Sequence, residues 1–388
     1  MHNLPIRCII AAKYVNVNNM RRLIIPCVWL LCLLLLNPFL LRSEPNPRRK
    51  KAPKRIIFLI GDGMGLAQIS GVMVNDPKQN AFERFPVIGL SKTASADNYV
   101  TDSGAGATVF AIGKKAKNGA IGVDSSEQPH RSIFEWAKQS NWGTGLVVTS
   151  SITHATPASF YAHVPSRKME EEIATFLLQQ HCDIAIGGGQ KFFTERKDQR
   201  NLFAELSQLG FTCKQDSVLV QTDAAKLIYT LAPNGLKTMQ AGRGDVLLKG
   251  TALAQKNLSK HYQKSFLMVE GSQIDWGGHD NDYAYVQAEL VDFNEVLNAV
   301  LDWAMADKNT LVVVTADHET GGLSLLENKE NLGSFKPHFS TKGHTGIMVP
   351  VFAYGPGSEA FAGIYENTEI FEKFAQIIKR NGTTQRAR

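Results

Sequence analysis

From Arg55 onward, short runs of β-branched and other apolar residues alternate with longer stretches of helical periodicity. A strand that is apolar throughout must be covered on both faces, and helices placed between successive strands provide that cover. The chain is therefore expected to be α/β, a three-layer sandwich whose central, mostly parallel sheet is flanked by helices on both faces. Strands are read at 56–60, 145–149, 183–186, 266–269, 310–315 and 349–354, and helices at 106–115, 130–139, 168–180, 250–258 and 288–305. Residues 190–245 break the rhythm with mixed polar, Gly and Pro content, and are expected to be an irregular insertion in a single catalytic domain over 53–380. A hydrophobic fraction of 44% is enough for such a core and excludes disordered and fibrous classes.

Ahead of the domain, residues 23–41 are almost wholly apolar and follow Arg21 and Arg22, the order of a secretory signal peptide or an N-terminal anchor. Either reading of this leader (1–52) implies export to the periplasm or beyond, with membrane contact only through an uncleaved anchor. Pro26, Asn37 and Pro38 interrupt the run, so cleavage and retention both stay open. Of the 42 Lys/Arg and 36 Asp/Glu, eleven and one fall in residues 1–55, so the remainder carries 31 bases against 35 acids. The net charge of +6 thus belongs to the leader, and a nucleic-acid partner is not expected. Beyond the leader only Cys182 and Cys213 remain, open to a disulfide or to two buried thiols. Without a cysteine cluster, any metal must be held by His and carboxylates.

Ligands of open α/β sheets bind beyond the carboxyl ends of the strands. Asp62, His154, Glu270 and the pair Asp317-His318 each follow one of the expected strands. One such residue alone reads as a cap or a satisfied polar group; four together converge on a cation site. Around Asp62, the sequence Gly61-Asp62-Gly63-Met64-Gly65 fails the dinucleotide spacing because Leu66 stands where the third Gly would be, and an acid at that turn suits a metal rather than a pyrophosphate. Glu270, Asp275 and His279 lie within ten residues, with Asp275 and His279 four apart and able to share a helical face. Glu319 extends the second ligand-rich group, and His344 sits alone in a tight loop. Ser103 precedes an expected helix whose positive end would favour an alkoxide or a phosphate, which makes it a candidate nucleophile; a plain Ser N-cap is the alternative. No G-x-S-x-G elbow is present, so activation would have to come from metal.

The ordered set G-D-G-M-G, T-D-S-G-A-G, H-A-T-P-A-S followed by Ser166-Arg167, V-E-G-S-Q-I-D-W-G-G-H, T-A-D-H-E-T-G-G and K-G-H-T-G resembles the motifs of the alkaline phosphatases, from Ile56 to about Pro356. The resemblance implies hydrolysis of small phosphate monoesters by double displacement through phospho-Ser103, with Arg167 clamping the phosphate. It implies two zinc ions, one on Asp275, His279 and His344 and the other on Asp62, Asp317 and His318. A third ion, usually magnesium, is implied on Asp62, Thr156 and Glu270, and a homodimer is implied as the assembly. Asp102, His154 and Trp276 fall beside the phosphate or the third metal; the best-known bacterial pattern has Asp in place of His154 and Lys in place of Trp276, which leaves the third ion and the grip on product phosphate open. A phosphodiesterase is the alternative activity, and a non-catalytic metal- or phosphate-binding protein the alternative from another class.

Overall fold

The computed structural model describes residues 52–75, 80–216 and 218–383; apart from Ala52, the leader lies outside them. The strands are β1 (Arg55–Gly61), β2 (Val87–Lys92), β3 (Gly143–Ser151), β4 (Ile184–Gly188), β5 (Thr212–Gln215), β6 (Leu227–Thr230), β7 (Ser265–Gly271), β8 (Thr310–Thr315), β9 (Glu319–Thr320), β10 (Leu323–Glu327), β11 (Phe335–Phe339), β12 (His344–Thr345), β13 (Val349–Tyr354) and β14 (Gly363–Glu366). Ten of them form one sheet in the order β14-β2-β13-β8-β1-β7-β3-β4-β6-β5. Every neighbour pair is parallel except those of β13, which runs antiparallel to β2 and β8.

Side chains of a strand alternate between faces, and β1 shows why its sequence is apolar at every position. Ile56, Phe58 and Ile60 enter one core, built with Phe110, Phe134, Phe160 and Phe374. Ile57 and Leu59 enter the other, built with Ile69, Val72, Leu253, Phe293 and Leu297. The helices Ser103–Ile112, Ile133–Gln139 and Thr368–Thr383 feed the first face, and Leu66–Asn75, Val246–His261 and Tyr283–Asp307 the second. Phe58 anchors the first core, its ring lying 5.5 Å from that of Phe110 and 5.1 Å from that of Phe374; cutting such a ring back to Ala costs about 3–5 kcal/mol.

All six expected strands are present. The irregular insertion is corrected: within 190–245, β5 and β6 extend the main sheet in parallel, and only the segments around them are irregular. β6 is fully buried but only four residues long, and β5, at the sheet edge, carries the polar sequence Thr-Cys-Lys-Gln, so neither gives a long apolar run. The expected helix at 168–180 is a helix at Glu170–Thr175 followed by a 3-10 turn at Phe176–Gln179. Cys182 and Cys213 are free thiols, the first buried. Among the described residues no helix is long and apolar enough to cross a membrane.

The strands β8, β1, β7 and β3 are consecutive in the sheet and mutually parallel. Their carboxyl ends carry Asp317-His318, Asp62, Glu270 and His154, which places four potential ligand groups side by side at one edge.

Candidate metal centre

The turn after β1 is possible only with glycine. Gly63 has φ +73°, and a Cβ there would lie 2.7 Å from Thr320 Oγ1 and 2.8 Å from Asp275 Cα. Next to it, Ser103 opens the Ser103–Ile112 helix, but Asp102 is the N-cap, accepting from the Ala105 amide at 2.9 Å. The capping alternative for Ser103 is therefore set aside. Its hydroxyl is free to face the centre, where Oγ lies 3.2 Å from His318 Nε2.

Three groups of side chains converge. In the first, His279 Nε2 and His344 Nε2 are 3.0 Å apart and lie 3.4 and 3.5 Å from Asp275 Oδ1. In the second, His318 Nε2 lies 3.5 Å from Asp62 Oδ1 and 3.3 Å from Asp317 Oδ2. The third joins Asp62, His154 and Glu270. An ion with tetrahedral bonds of about 2.0–2.1 Å separates its ligand atoms by roughly 3.3–3.4 Å, and the first two groups have that spacing already.

The far nitrogens explain how the rings are held. His279 Nδ1 donates to the Lys342 carbonyl at 2.5 Å and His344 Nδ1 to the Thr101 carbonyl at 2.9 Å. A carbonyl only accepts, so both Nδ1 atoms carry a proton, and in the neutral rings both Nε2 atoms are left as lone pairs facing each other. Two ring nitrogens facing each other at 3.0 Å call for a proton or a metal ion between them.

The buried carboxylates make a stronger demand. Asp62 and Glu270 are fully buried, and both oxygens of Asp62, Oε1 of Glu270, Oδ2 of Asp317 and Oγ1 of Thr156 have no hydrogen-bond partner. Burial, and then the charges of Asp317, Asp275 and Glu270, push Asp62 well above the ordinary carboxylate range. Burial raises Glu270 to about 7, against the hydrogen bonds it accepts from Ser272 at 2.6 Å and Ser150 at 3.4 Å. Asp275 moves the other way: burial opposes its ionisation, but the hydrogen bond from His344 and the nearness of three histidines outweigh it. This donor set of oxygens and imidazoles, short of protons and of partners, fits hard or borderline divalent cations.

Arg167 reaches the centre from the loop after the Ala155–Ala158 helix, donating to Asp102 Oδ2 at 3.0 Å and to His154 Nε2 at 3.1 Å. Burial and this guanidinium lower His154 to about 4, so it is neutral at physiological pH. The Trp276 ring meets His154 edge-on, with centroids 6.2 Å apart. Every candidate residue read from the sequence therefore lies at the centre or against it, except Glu319. That carboxylate accepts instead from Gln68 at 2.8 Å, from the Gly322 and Leu323 amides and from the Thr345 hydroxyl, so it braces the loop and is no ligand. Sequence reasoning missed Ser272 and Thr320, which hold ligands rather than act as ligands, and Gln68, which braces Glu319 and the Thr320 carbonyl; no spacing rule marks a lone hydroxyl or amide for such a role.

The arrangement defines an α/β protein with a candidate metal centre beside a serine, and comparison with known proteins makes it particular. Residues 53–337 match the family model described as alkaline phosphatase. Alkaline phosphatase 3 of Bacillus subtilis is 34% identical, over 84% of this chain and 89% of its own, and the alkaline phosphatase of Escherichia coli K12 is 29% identical, over 83% and 85%. The structure of the alkaline phosphatase from the Antarctic bacterium TAB5 superimposes with a TM-score of 0.82 at 46% identity, over 85% of this chain and 99% of that one. A His-to-Asp variant of that enzyme has magnesium bound in a site designated M3. This chain belongs to the alkaline phosphatase family; it is a metal-binding phosphatase.

Proposed function

We propose that the chain hydrolyses phosphate monoesters by double displacement, with Ser103 as the nucleophile. The observation that carries the reading is the position of Ser103 Oγ: at the first turn of a helix, 3.2 Å from His318 Nε2 in the buried group, and relieved of capping duty by Asp102. Two zinc ions on the first two groups, and magnesium on Asp62, Thr156 and Glu270 with His154 beside them, are the cofactors that this donor set fits. When bound they supply Lewis acidity to the phosphoryl oxygens and favour the ionised serine.

The protein's own part is placement. Arg167, held by Asp102 and flanked by a neutral His154, presents a planar fork to two non-bridging oxygens of a phosphate dianion. Ser103 Oγ attacks phosphorus as the alcohol oxygen leaves, giving phospho-Ser103 and the alcohol. Water then attacks the same phosphorus, releasing inorganic phosphate and restoring the serine. The helix N-terminus behind Ser103 favours negative charge on Oγ in both steps.

Export through the 23–41 run and assembly as a homodimer accompany this reading, on the leader sequence and the family respectively. A chromogenic monoester and its matching diester, assayed before and after chelation and again with zinc and magnesium restored, test it. Monoester turnover that falls on chelation and returns with metal is expected; preference for the diester would move the activity to a phosphodiesterase, and no turnover in metal-loaded protein would leave a binding role.

A further inference from the structure

The first two groups are joined by one side chain that belongs to neither. Thr320 is fully buried on β9, two residues after His318, and its backbone pairs directly with His344 on β12. Its hydroxyl contacts Asp275 Oδ1 at 2.5 Å and His318 Nδ1 at 3.2 Å. An ionised carboxylate can only accept, so the single hydroxyl proton goes to Asp275 and the oxygen is left to accept from His318 Nδ1–H. That fixes the tautomer: His318 turns an unprotonated Nε2 toward Asp62, Asp317 and Ser103. The chain Nδ1–H to Oγ1–H to Oδ1 thus orients one ligand of each group with a single atom.

The packing makes Thr320 hard to replace. A Cβ at Gly278 would lie 2.9 Å from Thr320 Cγ2, and one at Gly63 2.7 Å from its Oγ1, so two glycines on different segments, beside Asp62 and beside His279, leave the room it fills. Gln68 donates to the Thr320 carbonyl at 3.0 Å and the Thr320 amide to the Gly63 carbonyl at 3.2 Å, which fixes the backbone as well. The rings of His318 and His344 stack, with centroids 3.6 Å apart, immediately beside this hydroxyl.

We propose that Thr320 is a positioning residue that couples the two metal groups: its hydroxyl orders His318 and Asp275 together, so that losing it weakens both sites, and filling one site prepares the other. The proposal rests on the metal reading given above. It extends that reading to a residue that touches neither the substrate nor an ion.

Zinc binding by the purified chain, stripped and then titrated against a chromogenic chelator, separates the two claims. A wild-type chain that takes up no zinc overturns the metal reading and this one with it, before any variant is compared. If wild type binds two ions, Thr320→Val, which keeps the shape and loses both hydrogen bonds, should lose about 10–100-fold in affinity at both sites, and Thr320→Ser should recover to within a few-fold. Wild-type affinity at both sites in Thr320→Val, or loss confined to one site, would overturn the coupling. Long-range ¹⁵N spectra of the imidazoles in the unmutated, zinc-loaded protein give an answer that no folding defect can obscure: His318 should carry its proton on Nδ1, and a proton on Nε2 would overturn the proposal.

Discussion

The two histidine-bearing groups differ in how they are built, and the difference predicts how each behaves. Asp62, Asp317 and His318 hang from the ends of adjacent central strands and are fully buried. Asp275, His279 and His344 come from the Gln273–Asp280 helix and the short strand β12, and the His279 side chain is 40% exposed. In the buried group the neighbours of Asp62 are acids, so its negative charge is opposed without a cation. At the rim the neighbours of Asp275 are histidines, so its charge is supported. The buried group is therefore the one that needs an ion; the rim group can wait for one.

The largest expected effect separates chemistry from binding. Ser103→Ala should lower turnover by on the order of 10⁴-fold or more, while zinc uptake at the rim stays within a few-fold of wild type; comparable turnover would remove Ser103 from the mechanism. Opposite signs should follow in the metal-free protein at about pH 7.5. Asp62→Asn removes a buried carboxyl whose ionised form is opposed by burial and by neighbouring acids, and should raise stability by roughly 1–3 kcal/mol, whereas Asp275→Asn removes a carboxylate whose charge is supported and should lower it, both read from denaturant midpoints. The same sign for both would dissolve the comparison.

Smaller still is the pH effect. Glu270 sits at about 7 in the folded protein, above its ordinary value near 4.5. Its contribution to metal-free stability is thus fully present below about 4.5 and is lost as pH rises through about 7. Thermal melting of stripped protein should fall between pH 5 and 8, and metal-loaded protein should not share that fall, because the cation replaces the proton. The smallest effect concerns the two serines that hold Glu270. Ser272→Ala, which removes the 2.6 Å bond, should weaken magnesium uptake about tenfold, and Ser150→Ala, at 3.4 Å, by no more than a few-fold. The reverse order would show that Ser150 is the true support.

What the sequence made legible follows the same division. Strands buried on both faces, such as β1 and β8, are continuous apolar runs, so the centre of the sheet and the residues at its carboxyl end could be read directly. Strands β2 and β14 could not: Val-Ile-Gly-Leu-Ser-Lys and Gly-Ile-Tyr-Glu mix polar and apolar residues because an outer strand is only partly covered. In the site, Asp62, Glu270, Asp317 and His318 declared themselves by type and place, and the helical spacing of Asp275 and His279 is realised in the Gln273–Asp280 helix. Glu319 misled because it sits next to His318 yet points, as strand neighbours do, to the other side. Thr320 stayed hidden because its role is made by partners 45 residues upstream and two residues away.

The central claim is that phosphate passes through Ser103. Acid-quenching the metal-loaded enzyme during turnover of a ³²P-labelled monoester, followed by peptide mapping, measures this directly. The account predicts label on the peptide that contains Thr101-Asp102-Ser103, absent from Ser103→Ala; label on another residue, or rapid turnover with no labelled protein in any quench, would contradict it.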